Sequence, residues 1–120
     1  MDTKAEIIKW YFKLSDLASD DSQALSAIIG LFSKEAVIKS ANGLTVETPI
    51  GIAHFFENFF KDNQELRHLC HVVATKDGYQ AEWAVAGCKQ TGQLFAFHGT
   101  DTYTFDQNNK ITFLQVAIHP

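Results

Sequence analysis

Residues 94–105 read Leu-Phe-Ala-Phe-His-Gly-Thr-Asp-Thr-Tyr-Thr-Phe, and this stretch decides the fold. From position 95 onward, every second residue is aromatic, Gly99 or Asp101, and the residues between them are small or polar. Alternation with a period of two is typical of a strand that has one face against a core. The stretch therefore predicts a long β-strand that carries one carboxylate on its apolar face.

Three neighbouring segments have the same β character, with turn residues between them. The four predicted strands are residues 66–76, 79–89, 94–105 and 110–119. The separators, which have the composition of hairpin turns, are Asp77-Gly78, Thr91-Gly92 and residues 107–109. The second half of the chain therefore predicts an antiparallel meander.

The first half has helical periodicity instead. Thr3 and Glu6 have the spacing of a capping box, and the apolar residues that follow lie almost all round the helix, which predicts a first helix that is buried on most sides. Asp20 predicts the N-cap of a second helix. Thr48 before Pro49 predicts the N-cap of a third.

These elements together predict an α+β fold in which three N-terminal helices pack on a strongly curved antiparallel sheet. Between the second and third helices, residues 36–38 predict a short strand and residues 40–47 predict a polar loop. A chain of 120 residues, 46% of them hydrophobic, supports one core. Residues 1–120 are therefore predicted to form a single domain.

The composition excludes several classes of partner. The net charge is −4 and Arg67 is the one arginine in the chain, so no basic stripe is available for nucleic acid or an anionic membrane. No apolar run approaches the ~20 residues that a membrane span needs. Two cysteines and a charged N-terminus predict a cytoplasmic protein.

Hairpin register predicts which side chains face the helices. A two-residue turn at Asp77-Gly78 pairs Lys76 with Tyr79, and a three-residue loop at 90–92 with Gly92 in the left-handed conformation keeps the next strand in phase. The inward face then carries His68, Trp83, Phe97, Asp101, Tyr103, Leu114 and Val116.

Asp101 is the most informative residue on that face. A buried carboxylate without a partner costs several kcal/mol and tends to be protonated instead, so a raised pKa is predicted for Asp101. One interpretation makes it a hydrogen-bond donor or general acid in a pocket. The alternatives are a structural hydrogen bond within the fold, or a different register that turns the side chain outward.

The element order and the segments around Tyr11, 31–32, 51–60 and 99–118 resemble the nuclear transport factor 2-like superfamily, particularly its SnoaL-like and ketosteroid isomerase-like branches. The resemblance implies a cone-shaped fold around an apolar pocket, usually as a homodimer. It also implies an activity among isomerases, polyketide cyclases, dehydratases and epoxide hydrolases, or no activity at all.

The resemblance assigns roles to individual residues. Asp101 falls on the protonated acid of the isomerase oxyanion hole, and Tyr11 falls on the tyrosine that is its partner. The isomerase general base would fall at Ser40, which cannot accept a proton from carbon unaided. In the dehydratase branch, His68 and Asp20 look like the catalytic His–Asp pair, although Asp20 also has a complete explanation as an N-cap.

These observations lead to two hypotheses about a small apolar ligand that carries a carbonyl or hydroxyl group. The first is an acid–base isomerase, cyclase or dehydratase; the second is a non-catalytic ligand-binding or dimerisation domain that lacks the base. No cofactor and no metal site is predicted, since His68 and His71 would point to opposite faces of one strand. The predicted catalytic residues are Tyr11, His68 and Asp101, and the predicted ligand-binding residues are Trp83, Phe97, Tyr103, Leu114 and Val116.

The outer face of the sheet predicts a homodimer. It carries short and mostly uncharged side chains where a solvated face would show lysine and glutamate: Ala84, Ala86, Ala96, His98, Thr100, Thr102, Thr104, Phe113, Gln115 and Ala117. Charge depletion is typical of the centre of an interface, and two-fold pairs are the commonest assembly. The alternative is a monomer, because Thr-rich strands are also ordinary exposed β surface.

Overall fold

The computed structural model describes residues 2–120, which form three helices and six strands. In chain order these are α1 Thr3–Leu17, α2 Ser22–Ile29, β1 Phe32–Lys39, β2 Thr45–Glu47, α3 Pro49–Asp62, β3 Asn63–Ala74, β4 Tyr79–Lys89, β5 Leu94–Phe105 and β6 Ile111–His119. The strands form one sheet in the order β2-β1-β6-β5-β4-β3. The predicted α+β class is therefore confirmed.

The sheet is mixed rather than wholly antiparallel. Strands β3 to β6 form the predicted antiparallel meander, but β1 pairs with β6 in parallel. The short strand predicted at 36–38 extends over the whole of β1, and the predicted polar loop contains β2, which pairs with the end of β1. The extension of β1 depends on pairing with β6 far along the chain, which local sequence patterns do not report, and β2 pairs back on β1 across a short turn.

Aspartates one residue earlier or later than predicted cap the first two helices. Asp2, not Thr3, is the N-cap of α1, because its carboxylate accepts hydrogen bonds from the free N–H groups of the first turn. Asp21, not Asp20, caps α2 in the same way. The Thr48 cap of α3 is confirmed, with Oγ1 accepting from the Gly51 N–H at 3.1 Å.

Helix α1 is less buried than predicted. Trp10 is 50% exposed and Leu17 is 44% exposed, so the prediction of a helix covered on most sides was wrong. The helix packs on α2 and β3 and leaves its remaining side open. The buried stripe consists of Ile8, Tyr11, Phe12, Leu14 and Ser15.

The β3–β4 hairpin is two residues out of the predicted register. Ala74 pairs with Tyr79, and the Thr75 N–H donates to the Gly78 carbonyl at 2.8 Å across a four-residue loop. His68 therefore lies opposite Val85 rather than Gly87. A shift of two residues keeps every side chain on its predicted face.

The β4–β5 hairpin has the predicted three-residue loop, with Gly92 at φ +92°. Its register pairs Ala81 with Asp101, so the β5 residues predicted to face the helices do so. The buried core joins all three helices to that face, with Phe56 of α3, Tyr103 of β5 and Leu114 of β6 at its centre. Among residues 2–120, no helix is long and apolar enough to cross a membrane.

Candidate active site

A cavity of about 380 Å³ lies between α1, α3 and the inner face of the sheet. Its wall is rich in aromatic side chains and includes the predicted residues Trp83, Phe97 and Val116. Tyr103 and Leu114, which were predicted to bind ligand, are fully buried core residues behind this wall. Both side chains point toward the helices, as the strand register predicts. They lie, however, in the part of the sheet that the helices cover completely.

His68 is held in the cavity wall by a carboxylate from α1. Asp16 Oδ1 lies 2.7 Å from His68 Nδ1 and also accepts the His68 backbone N–H at 3.0 Å. Strand β3 is at the edge of the sheet, so this backbone N–H has no strand partner and the carboxylate of Asp16 takes that place. Asp16 therefore fixes both the backbone and the ring of His68.

The Asp16 contact determines which nitrogen of His68 is basic. A carboxylate can only accept hydrogen bonds, so Nδ1 carries the proton and Nε2 has a free lone pair. Burial lowers the pKa of His68, and the hydrogen bond to Asp16 opposes that effect only in part. His68 is therefore neutral near pH 7 and is able to accept a proton.

The sequence analysis missed Asp16 and paired His68 with Asp20 instead. Asp20 lies beyond the end of α1, in the turn before α2, whereas Asp16 is in the last turn of α1. Asp16 follows Phe12 by four positions, and the Phe12 ring packs 5.3 Å from the His68 ring. A carboxylate beside the buried stripe of an amphipathic helix, four positions after Phe12, was the signal that could have found it.

Asp101 is only 2% exposed, and protein donors engage both of its oxygens. Trp83 Nε1 donates to Oδ1 at 2.8 Å, and the Tyr103 hydroxyl donates to Oδ2 at 2.8 Å. Burial raises the pKa of Asp101 to about 7, although these two hydrogen bonds favour the charged form. The geometry supports Asp101 as an anchor for Trp83 better than as a donor to a ligand.

Gly99 makes room for the Trp83 ring over β5. A Cβ at this position would lie 2.7 Å from Trp83 Cζ2 and 2.1 Å from the Ala117 carbonyl oxygen. No larger residue fits without moving the strand or the indole. The glycine in the middle of the predicted strand is therefore needed for the hydrogen bond from Trp83 to Asp101.

Tyr11 places a phenol in the wall beside these groups. Its ring packs 5.9 Å from Tyr103, and burial together with the nearby Asp101 charge raises its pKa well above 10. Within residues 2–120, its hydroxyl has no hydrogen-bond partner. Tyr11 is therefore a protonated donor that is available to a molecule in the cavity.

His68 and Asp101 lie in different parts of the wall. Their partners on β4 are Val85 and Ala81, which are four residues, or about 13 Å, apart at ~3.3 Å per residue. The Trp83 ring lies between them, with its centroid 6.4 Å from that of His68. Two separate polar clusters therefore face one apolar cavity.

Ser40 lies at the cavity mouth, where the resemblance would place the isomerase base. Its hydroxyl donates to Asn42 Oδ1 within the β1–β2 turn. A serine in this position cannot replace a carboxylate base. The Asp16–His68 pair lies in the wall of the same cavity.

The Trp83 hydrogen bond can be tested by Trp83→Phe. Losing the indole N–H removes one of the two bonds that lower the Asp101 pKa, so that pKa should rise further above its ordinary value. The free energy of unfolding should fall by about 1–3 kcal/mol because a buried acceptor loses its donor. Carboxyl ¹³C NMR titration and chemical denaturation measure the two effects, and Trp10→Phe on the exposed side of α1 should change neither.

Three helices over the inner face of a six-stranded mixed sheet, with a His–carboxylate pair in the wall of the enclosed cavity, define a class of small α+β cavity proteins. Residues 16–114 match the SnoaL-like domain, and the chain belongs to that family. The predicted nuclear transport factor 2-like resemblance is thereby confirmed. No curated protein sequence matches the chain.

Solved structures share the whole fold. A nuclear transport factor 2-like protein of unknown function from Exiguobacterium sp. 255-15 is 28% identical, with a TM-score of 0.86 over 93% of this chain and 97% of its own. The epoxide hydrolase/cyclase-like enzyme SalBIII, of pyran ring formation in the polyether salinomycin, is 18% identical, with a TM-score of 0.80 over 97% and 90%. A Mycobacterium tuberculosis protein in complex with estradiol-17β-hemisuccinate is 15% identical, with a TM-score of 0.75 over 96% and 93%.

Proposed function

We propose that the protein is a cofactor-independent acid–base catalyst of the isomerase, cyclase or dehydratase type. Its substrate is a small apolar molecule that carries a carbonyl or hydroxyl group. The observation that carries the proposal is the 2.7 Å contact between Asp16 and His68 in the wall of an apolar cavity. A neutral histidine oriented by a carboxylate is the usual arrangement of a general base.

The proposed first step is a proton transfer from substrate carbon. His68 Nε2 takes a proton from the carbon next to a carbonyl, the C–H electron pair moves into the new C=C bond, and the carbonyl oxygen becomes an enolate. Tyr11 donates a hydrogen bond to that oxygen, and Asp16 stabilises the imidazolium. The imidazolium then returns its proton to another carbon in an isomerisation, or to a departing hydroxyl in a dehydration.

Two similar structures support a role of this kind. SalBIII is an epoxide hydrolase/cyclase-like enzyme, and the Mycobacterium tuberculosis protein holds a steroid ester. The steroid rings of the second ligand are apolar, in agreement with the aromatic wall around Trp83 and Phe97. At these identities they support the fold and the ligand class, whereas the choice of His68 as base rests on this chain's own geometry.

A second candidate function is ligand binding without catalysis. Ser40 occupies the position of the isomerase base, and protein donors already engage both oxygens of Asp101. A protein that had lost the isomerase chemistry would keep these features together with an intact cavity. The two functions differ in whether bound ligand exchanges a carbon-bound proton.

Deuterium exchange distinguishes them. The probe is 2-tetralone, a two-ring apolar ketone with acidic protons beside its carbonyl, and ¹H NMR in D₂O follows the loss of those protons. Acid–base catalysis predicts exchange faster than in buffer, in proportion to protein concentration. Binding of 2-tetralone with no acceleration would overturn the catalytic proposal and favour the binding function.

We also propose that the protein forms a homodimer through the outer sheet face. Most of the side chains named for this face are exposed in the structure, and Leu69 beside them is 79% exposed. Thr102→Lys places like charges near the two-fold contact and should shift a dimer toward monomer in light scattering. Thr91→Lys, in an exposed turn, should leave the mass unchanged, and a monomeric wild-type protein at micromolar concentration would contradict the proposal.

Three further expectations complete the proposed function. The single buried core that joins helices and sheet supports the prediction that residues 1–120 act as one domain. A cytoplasmic location is supported by the free thiols of Cys70 and Cys88. The net charge of −4 supports a small molecule, rather than nucleic acid or an anionic membrane, as the partner.

A further inference from the structure

A second buried polar group faces the cavity at the junction of α3 and β3. Asn63 ends α3, begins β3 and is only 5% exposed, yet it lines the cavity. Its Nδ2 donates to the Phe59 carbonyl at 2.7 Å, which satisfies one of the free carbonyls at the helix end. Within residues 2–120, Oδ1 receives no hydrogen bond, and one Nδ2 hydrogen is also unused.

A β-bulge turns Asn63 inward. The pairing of β3 with β4 shifts between Asn63 and Glu65, where Asn63 lies opposite Lys89 and Glu65 lies opposite Cys88. The extra residue changes the alternation, so that Asn63 joins the face that carries Leu66 and His68. Capping α3 requires only the Nδ2–H donor, so Oδ1, which is not sealed from solvent, has no partner of its own within residues 2–120.

The surroundings of Asn63 favour a neutral partner. Lys89 and Asp62 also line this end of the cavity, with opposite charges. The C-terminal end of α3 adds partial negative charge, which disfavours a carboxylate on the ligand. One free acceptor beside one free donor suits a hydroxyl group, which donates to Oδ1 and accepts from Nδ2.

We propose that Asn63 is a specificity-determining residue that binds a hydroxyl group of the ligand at the end of the cavity away from His68. Five residues separate the two side chains along β3, and the bulge shortens the path to roughly 15 Å at ~3.3 Å per residue. The substrate class is therefore an elongated apolar molecule with one oxygen near Tyr11 and His68 and a hydroxyl at its far end. This inference rests on the proposed function, because it requires that the cavity binds an apolar ligand.

Two matched probes test it by calorimetry or fluorescence titration. The probe 2-naphthol has one hydroxyl, and 2,6-dihydroxynaphthalene has a second at the opposite end of the same rings. The wild-type protein should bind the diol about 3–10-fold more tightly, which is the net value of the added hydrogen bonds. In Asn63→Leu that ratio should fall to about 1, because a polar hydroxyl would then meet an apolar wall.

A second asparagine supplies the control. Asn42→Leu changes a residue at the cavity mouth whose Oδ1 already accepts the Leu44 N–H, and it should keep the wild-type ratio. If Asn63→Leu does not fold, Asn63→Ala gives the same ratio test without added bulk. A ratio that stays at the wild-type value in the folded Asn63 variants overturns the assignment, as does equal wild-type affinity for both probes. If neither probe binds to the wild-type protein, the proposed apolar cavity function fails as well.

Discussion

His68→Gln should slow deuterium exchange of 2-tetralone by about 10²–10⁴-fold relative to wild type, the range that a general base contributes. Glutamine keeps a similar size and a polar end, but it cannot accept a proton near neutral pH. Asp16→Asn should cause a smaller loss, because the histidine remains but its Nδ1–H loses the carboxylate that orients it.

His71→Gln is the matched control for this prediction. His71 lies three residues along the same strand, has the opposite parity and pairs with Glu82 on the other face. Its replacement should leave the exchange rate unchanged. Equal rates for the wild type and His68→Gln would remove His68 from the chemistry, even if the protein still accelerated exchange.

Asp101 should make the stability of the protein depend on pH. Its pKa is about 7 in the folded protein against an ordinary value of 3.8, so the folded state holds a proton that the unfolded chain releases. The contribution is fully present below about pH 4 and is lost as pH rises to about 7. The unfolding free energy should fall by about 1.4 kcal/mol per pH unit in this window, on the order of 4 kcal/mol in all.

Asp101→Asn isolates that contribution. Burial lowers the pKa of His68, which destabilises the fold at acid pH and opposes the Asp101 trend in wild type. Both proteins contain His68, so their difference in unfolding free energy should show the Asp101 slope alone, declining from about pH 4 to 7. A flat difference for Asp101→Asn would mean that the pKa of Asp101 in the folded protein is ordinary.

Much of the fold could be predicted because its signals are local. The alternation in residues 94–105 and the turn residues around the meander depend only on near neighbours in sequence. The inward face was correct although the first hairpin was two residues out of register, because side-chain parity survives a shift of two. Asp101 was therefore found in the cavity wall from sequence alone.

The parts that could not be predicted depend on distant contacts. Strand β1 pairs in parallel with β6 far along the chain, and β2 then forms as the edge strand on β1. The Asp16–His68 contact spans 52 positions in sequence and depends on how α1 lies across the edge of β3. Trp83 and Tyr103, the two donors to the Asp101 carboxylate, both belonged to the predicted inward face. Which carboxylate oxygen each of them reaches depends on side-chain packing around Gly99, which the sequence pattern does not report.

In the proposed function, Asp16 holds His68 as a neutral base in the cavity wall. Long-range ¹H–¹⁵N correlation NMR of the imidazole at pH 7 tests it most directly, because the two ring nitrogens report separately whether each carries a proton. The geometry predicts a protonated Nδ1 and an unprotonated Nε2 in wild type, with the preference for Nδ1 weakened in Asp16→Asn. A proton on Nε2, or a doubly protonated ring at that pH, would contradict it.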